Sequence, residues 1–318
     1  MPEWWIERGI GETRAALIED GEIIEARIEL EGVTPAGSVL AGRLVSNGTN
    51  GRNAVAVAGG GTEYLLPSGA PGASQGQTLT IEVTRESIPG AEAWKRPLAR
   101  VSDQPLQLAE PLSGRLLPFP SPHDALGDSG WDDLIDEART GVLTFAGGEL
   151  RISPTPAMTL IDVDGFLPPD ELAVLGAAEA TKAVRRLDIG GSIGIDLPTA
   201  GSKTARQSAA AAIDAELPPP FERTAVNGFG FVQIVRPRQR ASLVELAQDR
   251  ASFEARALLR RAASEGPGAI RLAAHPSVIA ALEGKSEWLA ALSRQVGGAV
   301  SLRADPALPM SGGYAEQA

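Results

Sequence analysis

A chain of 318 residues is long enough for about two or three domains, and 40 acids against 29 bases, a net charge of −11, argue against holding polyanions by total charge alone. The absence of cysteine excludes disulfides, thiolate zinc sites, iron–sulfur clusters and cysteine nucleophiles, and with only His123 and His275 a histidine-rich metal cluster is disfavoured. The composition (43% hydrophobic, 22% charged) is that of a folded chain; no run approaches the ~18 apolar residues of a membrane helix and no basic-then-apolar segment opens the chain, so no membrane partner and a cytoplasmic location are expected.

In chain order, two apolar-rich stretches at 12–30 flank Asp20-Gly21, a hairpin turn signal. Four short strand candidates follow at 39–46, 53–59, 63–67 and 77–85, separated by Gly/Ser/Asn turns, which predicts a small barrel. Residues 101–140 are Pro-rich, then acidic, and read as a solvated connector with a short helix. From 141 the pattern alternates. A hairpin forms around Gly147-Gly148 and a strand runs over 158–164. A helix follows at 169–187, with Ala173, Ala177, Ala180, Val184 and Leu187 on one face. A buried strand lies at 192–197, a helix at 202–215, and a long strand or hairpin at 223–237. Beyond Arg240, a long helix at about 242–264, a strand, helical stretches at 276–295 and a last strand make a small α/β unit.

Two motifs fail on context. Gly190-Gly191-Ser192-Ile193-Gly194 fits G-x-S-x-G, but a helix precedes it and a strand follows, the reverse of a nucleophile elbow. It reads as a glycine turn after a helix. Gly284-Lys285-Ser286 resembles the end of a phosphate-binding loop, yet Ile279 stands where the first loop glycine belongs.

The informative feature is a pair of acid-bearing strands. Side chains alternate along a strand, so in 158–164 Leu160, Asp162 and Asp164 share one face. In 192–197, Ile193, Ile195 and Leu197 share a face and Asp196 points the other way. If the strands are neighbours, three carboxylates converge, and a hard divalent cation, Mg²⁺ first, relieves their repulsion. The plainer alternative is that these acids cap turns or pair with Arg185 or Arg186. Basic residues also cluster: Lys95, Arg96 and Arg100 after the barrel strands, Arg223, Arg236, Arg238 and Arg240 in 223–240, and Arg256, Arg260 and Arg261 on the long helix. Each cluster alone reads as a solvated face. A barrel with bases beside it, joined to an acidic metal site, is the combination expected of a nuclease.

At this point the residues resemble a known family. TLIDVDGF (159–166), followed by AAEATKAVRRLDIGGSIGIDL (177–197), is similar to the catalytic core of the ribonuclease E/G family. The likeness extends to ETRAALIEDGEIIEARIE (12–29), the barrel strands, FAGGELRISPTPAMTLIDV (145–163), NGFGFVQIVRPR (227–238) and the C-terminal stretches EARALLRR and SLRADPAL. It implies an N-terminal hairpin (1–36) packing on the catalytic core and an OB-fold-type RNA-binding barrel (37–100). A connector (101–140), an α/β catalytic domain with a DNase-I-like or RNase-H-like core (141–240) and a small C-terminal α/β domain (241–318) follow. It further implies an Mg²⁺-dependent endoribonuclease that cuts single-stranded RNA to 5′-phosphate and 3′-hydroxyl ends. Asp162 and Asp196 match the metal-binding aspartates, Asp164 stands where the family has Asn, and Lys95 matches a lysine at the RNA-contacting end of the barrel.

Three features depart from the family. Its RNA-stacking phenylalanines appear as Val55 and Leu65, with Tyr64 beside the second. The segment that senses a 5′-monophosphate is largely missing, and so is the zinc link. The expected RNA-binding set is Lys95, Arg96, Arg100, Tyr64, Arg236 and Arg238, with no zinc and a homodimer left open. The alternative is an RNA-binding protein of the same fold that does not cut.

Overall fold

In the computed structural model, which describes residues 1–89 and 95–317, the first turn forms as its dipeptide predicts: Asp20 and Gly21 both take positive φ, 52° and 89°. They join β2 (Glu12–Glu19) to β3 (Glu22–Leu30). Ahead of them β1 (Glu3–Arg8) pairs antiparallel with β2, a strand that the alternation at 12–30 alone did not announce. The chain divides into two units. One gathers residues 1–31, 113–139 and 246–318; the other holds 32–112 and 140–245. Of the segment 1–36, expected as a hairpin packing on the catalytic core, residues 1–31 share a compact unit with the C-terminal segment.

In the second unit, β4 (Val39–Ser46), β5 (Ala54–Ala58), β6 (Thr62–Leu66), β7 (Thr78–Arg85) and β8 (Leu98–Val101) close into a five-stranded barrel in the order β4-β5-β6-β8-β7. The three alanines of β5 point inward and leave room for Leu44, Tyr64, Leu66 and Ile81, all buried. Returning to the first unit, β9 (Arg115–Leu116) adds to β1 in parallel, followed by α1 (Ala125–Asp128) and α2 (Trp131–Thr140). The acidic segment 121–140, expected to be solvated, is amphipathic instead. Its acids face out while Leu126, Trp131, Leu134, Ile135 and Ala138 are buried.

The six-stranded sheet of the second unit carries the acids. It contains β10 (Val142–Phe145), β11 (Gly148–Pro154), β12 (Thr159–Gly165), β13 (Gly191–Asp196), β14 (Glu222–Arg223) and β15 (Phe231–Arg236), in the order β10-β11-β12-β13-β15-β14. Only β12 and β13 run parallel, joined by the crossover helix α3 (Pro169–Arg186); α4 (Lys203–Glu216) packs against α3. The helices cover one face, and β12 shows the consequence. Thr159, Ile161 and Val163 are buried while Leu160, Asp162 and Asp164 are exposed. After α3 the left-handed position is taken by Asp188 (φ 51°), not by a glycine. Gly190 serves a different purpose, since a Cβ there would lie 2.7 Å from the Pro237 carbonyl oxygen. Gly190 is therefore a close-approach site beside Pro237, while Gly191 itself takes a positive φ of 86°.

The C-terminal segment contains α5 (Leu243–Gln248), α6 (Arg250–Ala263), β16 (Ile270–Ala274), α7 (Pro276–Glu283), α8 (Ser286–Val296), β17 (Val300–Ala304) and β18 (Tyr314–Gln317), with a sheet in the order β17-β16-β18. The single helix expected at 242–264 is broken at Asp249, whose backbone (φ −82°, ψ 65°) leaves the helical region; Asp favours helix starts over helix interiors. Among the described residues no helix is long and apolar enough to cross a membrane.

Candidate functional site on the open sheet face

The register of β12 against β13 pairs Ile161 with Ile195 and Asp162 with Asp196. Neighbouring strands lie about 4.8 Å apart, so the two carboxylates rise side by side from the uncovered face. Hydrophobic alternation enforces this placement, because Ile161, Ile193 and Ile195 are fully buried on the opposite face and fix which way the aspartates point. Asp164 lies one pleat further along β12. On the outer side β11 sets Arg151 opposite Asp162 and Glu149 opposite Asp164, and Arg151 pairs with Glu149 at 2.5 Å. On the inner side β15 sets Phe231 opposite Asp196 and Gln233 opposite Gly194; the Gln233 amide donates to Ser192 Oγ at 2.9 Å.

Gly194 shapes this face. A Cβ there would stand 2.7 Å from Phe231 Cζ and 3.0 Å from Leu160 Cδ2, so the missing side chain lets the Phe231 ring reach across the strand toward Leu160. Just beyond the strand ends, Asp170 at the start of α3 accepts from the Gly201 N–H (2.8 Å) and Ser202 Oγ (2.9 Å), which fixes the loop that leaves Asp196.

The electrostatics are those of crowded like charges. Partial burial, then the carboxylates of Asp164 and Asp196, hold the Asp162 carboxyl above its usual range; Arg151 and the Val163 N–H oppose the shift. Among the described ion pairs none involves Asp162, Asp164 or Asp196, and α3, which carries Arg185 and Arg186, packs against the sheet face opposite to the one that exposes these acids. Among the described residues no three His, Asp or Glu side chains group closely enough to form a metal cage. The expected convergence of three carboxylates therefore reduces to the opposed pair Asp162 and Asp196, with Asp164 as a neighbour. Two hard oxygen donors with excess negative charge suit Mg²⁺, which commonly takes one or two carboxylates and completes its shell with water and substrate phosphate.

The expected RNA-binding residues scatter. Tyr64 is 2% exposed inside the barrel, so its ring is core and offers no stacking surface. Val55 and Leu65 form an outward-facing pair across β5 and β6, both half-buried. Arg96 is held by Glu63 at 2.6 Å and Arg100 by Glu82 at 2.8 Å, which neutralises both on the barrel surface. Lys95 Nζ lies 3.5 Å from the Pro156 carbonyl, at the loop that enters β12. Arg236 and Arg238 occupy the wrong end of the sheet. Gly191, not Asp196, is the register partner of Arg236, which puts about 17 Å between that arginine and the acids. Arg236 donates to the Ile189 carbonyl at 3.2 Å, and Arg238 is paired with Glu245.

Sequence reasoning missed Arg151, Phe231 and two exposed rings, Phe166 and Phe229. Arg151 was recoverable, since continuing the alternation of 148–154 across the hairpin puts it on the acid face. The rings carried only a weak signal, each lying beside glycine in Asp-Gly-Phe and Asn-Gly-Phe-Gly. No protein-family model matches this chain, and a search of curated proteins finds no match.

Proposed function

We propose that the protein is an Mg²⁺-dependent endoribonuclease acting on single-stranded RNA. The observation that carries the reading is the register pairing of Asp162 with Asp196 on the open face of adjacent parallel strands. The closed barrel in the same unit and the resemblance of 159–166 and 177–197 to the ribonuclease E/G core support it. In this reading Asp162 and Asp196 hold the cation, and Asp164 orients the attacking water. The bound cation would supply Lewis-acid polarisation of the phosphate and lower the pKa of a water. The water oxygen attacks phosphorus, the P–O3′ bond breaks, and the 3′ oxygen leaves with a proton. The products carry a 5′-phosphate and a 3′-hydroxyl.

The test is cleavage of end-labelled single-stranded RNA in Mg²⁺ and in EDTA, by the parent protein and by Asp162→Asn and Asp196→Asn. Cleavage confined to the parent protein in Mg²⁺ supports the assignment. RNA binding without cleavage selects the non-catalytic alternative.

A further inference from the structure

Phe166 and Phe229 are 84% and 83% exposed, and both lie at the same end of the six-stranded sheet. Phe166 follows the C-terminal end of β12, two residues past Asp164. Phe229 precedes β15, whose first residue, Phe231, is opposite Asp196. Two strand spacings separate β12 from β15, so the two rings stand just beyond the acid pair at the same end of the sheet, on backbones about 10 Å apart.

Each ring is presented by a clipped turn. The Phe166 N–H donates to the Gly147 carbonyl at 3.1 Å. A Cβ on the preceding Gly165 would lie 2.3 Å from that same oxygen. The Asn227 side-chain oxygen accepts from the N–H groups of Phe229 (2.9 Å) and Phe231 (3.1 Å). Gly230 takes φ +95° where a Cβ would meet the Leu197 carbonyl at 2.1 Å. The Phe229 carbonyl accepts from Thr199 Oγ1 at 3.3 Å. Ordered backbone thus holds two large apolar rings in water, with no gain in core packing.

Beside the acids the apolar surface is extended by Phe231, level with Asp196, whose ring reaches over Gly194 toward Leu160, one pleat before Asp162. A ligand that suits this strip must carry flat apolar faces at intervals along an anionic backbone that a cation could bridge to carboxylates. Single-stranded nucleic acid has that chemistry, and base–ring stacking tolerates any base.

We infer that Phe166 and Phe229 are base-stacking residues that grip nucleotides next to the phosphate seated at Asp162 and Asp196, so that the strand is held on the catalytic sheet and not by rings on the barrel. The inference rests on the nuclease reading. It also accounts for how a protein whose barrel has Val55 and Leu65 outward and Tyr64 buried can still take single strands.

Two measurements test it. In steady-state cleavage, Phe166→Ala and Phe229→Ala each raise KM about 5- to 150-fold, the worth of one lost stack, and change kcat less. An RNA with an abasic nucleotide beside the cut bond shows the same loss with the parent protein and no further loss with the variant. Wild-type KM in both variants overturns the inference, as do variant and abasic losses that add. In equilibrium binding without cleavage, RNA carrying 2-aminopurine beside the cut site is quenched by the parent protein and not by the double variant. Binding with no quench, or a quench the double variant retains, overturns the stacking role, as does a change of oligomeric state in the variants, which would assign the rings to a protein interface. If the parent protein binds and quenches the RNA but never cuts it, the nuclease reading fails while the stacking role stands. If it neither binds nor cuts, both fail.

Discussion

Asp162 carries a thermodynamic signature of its partial burial and crowded like charges. Its folded-state pKa lies above the ordinary carboxylate value, so between those two values the folded chain binds more protons than the unfolded chain. Stability therefore falls as pH rises through that window, the opposite of a salt-bridged aspartate. Removing the charge relieves repulsion from Asp164 and Asp196. Asp162→Asn should melt no lower than the parent protein at neutral pH in EDTA, by differential scanning calorimetry, while losing cleavage. A clear drop in its melting temperature would make Asp162 a structural residue. At this scale the sequence was informative about the acids and poor about the bases. The period of two fixes where Asp162 and Asp196 point. Nothing in the sequence reveals that Glu63 and Glu82 neutralise Arg96 and Arg100, because those partners come from strands 33 and 18 residues away.

The crossover element β12–α3–β13 sets the spacing of the site. Gly176 lies in the middle of α3, where alanine would favour the helix by about 1 kcal/mol. Its position explains the glycine. A Cβ would sit 2.4 Å from Val163 Cγ1, in the buried side of the strand that presents Asp162 and Asp164. Gly176→Ala should lower stability by about 1–3 kcal/mol through overpacking, read as a lower urea midpoint with unchanged slope. A raised midpoint would show that helix and strand have room to spare. The elements of this region were legible because their periods are clean, and α3, expected over 169–187, spans Pro169–Arg186. The helix break at Asp249 was not, since neither proline nor glycine marks it.

At the scale of the molecule, sequence order and spatial order part. Residues 1–31 join the C-terminal segment through buried charge. Glu12 accepts from Arg256 Nε at 2.9 Å and Arg260 Nη1 at 2.6 Å, with Glu12 and Arg256 both nearly inaccessible. Glu7 and Arg14 form a second buried pair, extended to Asp124 at 2.6 Å. These partners lie up to 248 residues apart, which no local pattern encodes. The arginines on α6 read as a solvated face; the structure uses two of them to fasten the unit. Glu12→Ala strands two guanidinium groups and should cost about 3–5 kcal/mol in urea unfolding. A loss under 1 kcal/mol would show that water replaces the carboxylate.

Mn²⁺ titration followed by electron paramagnetic resonance asks whether Asp162 and Asp196 share one cation. One Mn²⁺ site per chain is expected, displaced by Mg²⁺ and lost in Asp162→Asn and equally in Asp196→Asn. A site that survives both substitutions, or no Mg²⁺-displaceable site in the parent protein, would contradict it.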